Sequence, residues 1–109
     1  MINWPVIISH TDDAELVYVS DSEQWDGDAD LYSFEYIETD RLIDSSGRVF
    51  DMTDRDGNIV KPKANGDVIE LKVIFGLVKV HAAQSGSCCV AKLYAPTIRE
   101  AYKIVESLV

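Results

Sequence analysis

The chain has 109 residues, 47% of them hydrophobic and 27% charged, which suits one domain able to close its own core and argues against a disordered chain. Its net charge of −9 excludes direct nucleic-acid or anionic-membrane binding, since both need an excess of Lys and Arg. No apolar run approaches the ~20 residues that cross a bilayer, and the first residues lack the basic start of a secretion signal. The expected location is therefore the cytoplasm.

In chain order, Val6-Ile7-Ile8 and Leu16-Val17-Tyr18-Val19 are β-rich runs around a polar turn, the pattern of a hairpin. Asp21 and Gln24 have capping-box spacing, which predicts a short helix from about Ser22 toward Asp30. Tyr32, Phe34 and Tyr36 alternate with Ser33 and Glu35, which is strand periodicity. "LIDSSGRVF" brackets a tight turn in which Gly47 supplies the positive φ, and "DRDGNIV" repeats the arrangement at Asp56-Gly57. Lys61 to Gly66 reads as a linker.

The second half changes texture. From Asp67 to Gln84, Val68, Leu71, Ile74, Phe75, Val78 and Ala82 recur at helical spacing, with Gly86 as the stop. Ile69, Val73, Leu77 and Val80 form a second apolar band on the same segment. That band is expected to be buried under another element or to form a homodimer interface. His81, in the last turn, is expected to favour the helix dipole. "CCVAKLY" has room only for a strand, on which Cys88 and Cys89 point to opposite faces and cannot share a metal. Thr97-Ile98-Arg99-Glu100 is a capping box, and Ile98, Ala101, Tyr102, Val105 and Leu108 make the stripe of a final helix. The predicted class is α+β. An antiparallel sheet of hairpins forms the front and middle of a single domain, residues 1–109, and two C-terminal helices flank a strand.

Taken together, "INWPVII" at 2–8, "IDSSG" at 43–47 and "HAAQSGSCCVAKLY" at 81–94 resemble a family of small acidic bacterial proteins known only as a domain of unknown function. That resemblance implies no activity, cofactor or site residue.

Charge distribution gives the one pointer to a partner. Residues 1–40 hold eleven acids and no Lys or Arg, whereas residues 41–109 hold eight acids and ten bases. Such a face steers a basic protein into contact. The leading expectation is a non-enzymatic interaction or regulatory module in which Asp26, Asp28, Asp30, Glu35 and Glu38 meet a basic partner. Two other classes stand beside it. A small redox or catalytic protein would pair Cys88 or Cys89 with His81. A weak cation-binding domain would use the alternate carboxylates of "DGDAD", although Leu31 stands where a calcium loop needs Gly. No catalytic motif is present, and neither a metal site nor a cofactor is predicted.

Overall fold

The structure, a computed structural model, describes residues 1–86, 90 and 93–108. It is an α+β fold built on a five-stranded antiparallel sheet. The first hairpin pairs β1 (Val6–Ser9) with β2 (Leu16–Val19), and the second pairs β3 (Arg41–Ile43) with β4 (Arg48–Asp51). β1 and β3 join the hairpins, with Ile7 opposite Ile43 and Ser9 opposite Arg41. A two-stranded ribbon, β5 (Arg55–Asp56) and β6 (Ile59–Val60), turns at Gly57 with φ +61°. β7 (Lys63–Val68) then completes the order β2-β1-β3-β4-β7.

Both faces of this sheet are covered, so strands that read as continuous apolar runs divide by alternation. Val6, Ile8, Val19, Leu42 and Phe50 face one way, against Trp25 of α1 (Ser22–Gly27), Leu31 of α2 (Ala29–Tyr32) and Val60 of the ribbon. Ile7, Leu16, Ile43 and Val49 face the other way. There they meet Ile74 and Val78 of α3 (Leu71–Gln84) and Ala101, Tyr102 and Val105 of α4 (Ile98–Ser107). The caps are those the spacing predicts. Asp21 accepts the Gln24 N–H at 2.8 Å, and Thr97 accepts the Glu100 N–H at 3.2 Å.

Four expectations are corrected. The stretch Lys61–Gly66 is not a linker: most of it belongs to β7, an edge strand whose side chains are all exposed and therefore show no alternation. Consequently α3 begins at Leu71 rather than Asp67, because Asp67 and Val68 end β7, with Val68 opposite Arg48. Tyr32 closes α2, while Phe34 and Tyr36 lie in an irregular segment instead of a strand. Of the two expectations for the second apolar band, burial within the chain fails: Ile69 and Leu77 pack at the core margin, but Val73 and Val80 are 55% and 52% exposed, and a single chain does not bear on the homodimer interface. The strand expected at 88–93, with Cys88 and Cys89, lies mostly outside the described residues. Of its residues only Val90 and Leu93 are described, and the Leu93 N–H donates to the Val90 carbonyl at 3.1 Å.

Candidate functional site

The register that sets Ser9 opposite Arg41 brings the next residue of the first hairpin, His10, beside the residue before β3, Asp40. Asp40 is almost fully buried and acts as a clamp. Its Oδ1 accepts the Thr11 N–H at 2.8 Å and the Thr11 hydroxyl at 3.1 Å, and its Oδ2 accepts the Ile37 N–H at 2.9 Å. His10 Nδ1 stands 3.7 Å from Oδ2. Burial alone would raise the Asp40 pKa, but the Ile37 and Thr11 hydrogen bonds and the nearby His10 outweigh it and hold the carboxyl below its ordinary range. The Thr11 and Thr39 hydroxyls also touch.

Three rings pack above this clamp. His10 lies parallel to Tyr36, centroids 5.6 Å apart, and is tilted against Phe34 at 5.1 Å; Phe34 and Tyr36 are 4.8 Å apart. Tyr36 is the buried member. Its hydroxyl donates to the Leu31 carbonyl at 2.9 Å, and burial, with the Asp40 and Asp28 carboxylates, pushes its pKa well up. Phe34 is 46% exposed. Beside it opens a cleft of about 480 Å³ lined by His10, Thr11, Asp13, Phe34, Glu35, Ile37 and Asp40. His10 and Thr11 also wall a second cleft of about 280 Å³, with Thr39, Arg41 and Ile43 on the sheet side and Ile69, Val73 and Leu77 on the α3 side. The two clefts share that wall.

A family model described as a protein structure with unknown function, DUF4144, matches residues 4–105. The chain belongs to the DUF4144 family. No curated protein matches its sequence. Among solved structures, an NMR structure of a protein from Shewanella amazonensis is 18% identical and superposes with a TM-score of 0.73, covering 100% of this chain and 91% of that one. At that identity the likeness speaks for the fold.

Within this DUF4144 domain the five acids singled out from the sequence do not converge. Glu35 lines the cleft beside Phe34, and Glu38 is exposed on the same segment. Asp26 lies by Tyr32 and Ile59 at a separate depression. Asp28 caps α2, its Oδ1 accepting the Asp30 N–H at 2.9 Å. Among the described residues, no three His, Cys, Asp or Glu side chains are grouped to hold a metal ion. Nor is any described helix long and apolar enough to cross a membrane. The helix band fares better, since Ile69, Val73 and Leu77 reach the second cleft.

His81 is not the solvent-facing dipole partner that its position suggests. It is 4% exposed, and its Nδ1 accepts the Leu16 N–H at 2.9 Å, fastening α3 to β2. That bond needs a lone pair on Nδ1 and places the ring proton on Nε2, which has no hydrogen-bond partner among the described residues. The sequence reading did not bring His10, Thr11 and Asp40 together. About thirty positions separate the first two from Asp40, and only strand pairing joins them.

Proposed function

We propose that this DUF4144 domain is a non-enzymatic interaction module, working in the cytoplasm, whose acidic N-terminal face receives a basic surface of a protein partner. The observation that carries this reading is the lack of internal neutralisation. Of the eleven acids in the first forty residues, only Asp40 lies within ion-pair distance of a basic side chain among the described residues. The other described ion pair, Lys63 with Asp54, lies further along the chain. Repulsion among uncompensated carboxylates disfavours the folded state, whereas the same charges accelerate encounter with a cationic protein. The face also carries Phe34 and Ile37, large apolar side chains left half in water beside Glu35. Aromatic residues of this kind dominate the energetics of protein interfaces.

The test uses the immobilised domain, native lysate, and the variants Asp26→Lys/Asp30→Lys and Asp13→Lys/Glu35→Lys. Basic proteins should be enriched at low ionic strength. They should be lost at 0.5 M salt, where charges are screened within about 4 Å, and lost again with the charge-reversed variants. Capture indifferent to both salt and charge reversal would refute the electrostatic basis.

A further inference from the structure

We infer that the two clefts sharing the His10–Thr11 wall together read an arginine flanked by aliphatic residues on a protein partner. This deepens the interaction-module reading and rests on it. The first cleft offers one half-exposed aromatic face, Phe34, and two carboxylates with unused acceptor capacity. Asp13 Oδ1 accepts the Glu15 N–H at 2.9 Å, leaving Oδ2 open, and Glu35 makes no hydrogen bond or ion pair among the described residues. Asp40 is different, because three donors and His10 already surround it.

A ligand complementary to this cleft is cationic, flat enough to stack on Phe34, and supplied with several N–H donors for Asp13 and Glu35. A guanidinium has all three properties. An ammonium lacks the plane, and a quaternary ammonium lacks the donors.

Across the shared wall, the second cleft is apolar where Ile43, Ile69, Val73 and Leu77 meet, with Arg41 at its margin. It suits an aliphatic side chain. Arg41 repels a second cation there, so the arginine is directed to the carboxylate side and the segment binds in one orientation.

The probe is a short capped peptide with one arginine between two leucines, titrated into the isotope-labelled full chain at low salt. Its lysine, citrulline and glycine-flanked versions are titrated alongside. The arginine peptide should shift the resonances of His10, Thr11, Phe34 and Ile37 together with the methyl groups of Val73 and Leu77. Replacing arginine by lysine, or Phe34 by Ala, should weaken binding about two- to fivefold, the range for a solvent-accessible cation–π contact. Citrulline should abolish it, and Val73→Ser should remove the advantage of leucine over glycine flanks. Phe34 and Val73 are half-exposed, so both variants should keep the wild-type amide spectrum outside the clefts.

If lysine and arginine peptides bind equally, or the shifts fall on Asp26 and Asp30, the arginine assignment fails while the acidic-face reading stands. If no cationic peptide binds, both fail. Sedimentation showing self-association lost in Val73→Ser would also overturn the assignment, because the surface would then belong to a second copy of the chain.

Discussion

Replacing Asp44 by Ala is expected to remove much of the stability of this fold. The side chain is fully buried, yet every donor around it is a backbone N–H or a hydroxyl and none is a cation. Oδ1 accepts the Ser46 N–H at 2.9 Å, the Ser46 hydroxyl at 2.7 Å and the Arg48 N–H at 3.0 Å; Oδ2 accepts the Asn3 N–H at 3.1 Å. The carboxylate thus ties the chain start to the β3–β4 turn. Tyr102 of α4 closes the same knot by donating its hydroxyl to the Ile43 and Asp44 carbonyls at 3.0 and 3.1 Å. Asp44→Ala leaves three backbone N–H groups without their acceptor, each costing about 1–3 kcal/mol where water cannot reach it. Allowing some rehydration at the turn, the loss should be about 3–5 kcal/mol, against a total of about 5–15 kcal/mol for a domain of this kind. Asp44→Asn should lose roughly half as much, because its amide keeps one acceptor but opposes a donor to a donor at Asn3. In urea, with a slope of about 1–3 kcal/mol/M, the Asp44→Ala midpoint should fall by on the order of 2 M with the slope unchanged. A midpoint within about 0.5 M of wild type would refute this account of the knot.

Gly47 adopts φ +86°, and an added Cβ would stand 2.4 Å from the Ile69 carbonyl oxygen, so Gly47→Ala should destabilise by about 3 kcal/mol in the same urea assay. Smaller losses would mean that the β3–β4 turn can move away from Ile69. Asp40 titrates lower in the folded chain than unfolded, so the stability it contributes is present above its unfolded pKa near 3.8 and lost as pH falls through the lower folded value. Asp40→Asn should therefore be less stable than wild type at neutral pH, and acid titration followed by circular dichroism should show the gap closing below about pH 4. Val73→Lys should leave thermal unfolding within about 0.5 kcal/mol of wild type, whereas Ile74→Lys, which buries a charge on the covered face, should prevent folding. Equal damage from the two would show that the outer band of α3 is covered after all.

What was legible in the sequence is what local chemistry decides. The three hairpins announce themselves through their turns, and α1 and α4 through Asp21 and Thr97, because a cap or a positive-φ glycine needs only its neighbours. β7 was hidden because its existence depends on β4, some fifteen residues away, and its exposed side chains carry no period. Alternation at Tyr32, Phe34 and Tyr36 had a different cause from the one it suggested: Tyr36 packs inward against His10 while Phe34 stays half in water. Of the cleft, Glu35 was visible as one acid among many, and Val73 as part of an unexplained band. That the two lie on either side of His10 and Thr11 depends on the β1–β3 register and on α3 crossing the sheet, neither of which leaves a mark in sequence spacing.

Asp40 and Asp44 stand at the two ends of β3, and both are buried carboxylates that accept backbone N–H groups. Their surroundings divide the work between them. Asp44 gathers the chain start and the β3–β4 turn, next to the Tyr102 bonds from α4, so its removal strikes the part of the molecule on which two layers depend. Asp40 gathers only Thr11 and Ile37, the two segments that carry the clefts and the half-exposed rings. A buried carboxylate is an expensive way to fasten a surface loop, since desolvation works against it. Its hydrogen bonds tie the segment that carries Phe34 and Glu35 to Thr11, next to His10, and in the arginine-reading proposal that preorganisation is what would let a small cleft discriminate among cations. On the proposed reading the two ends of β3 therefore differ in kind: Asp44 serves the fold, whereas Asp40, besides its own contribution to stability, keeps the shape of the proposed binding face.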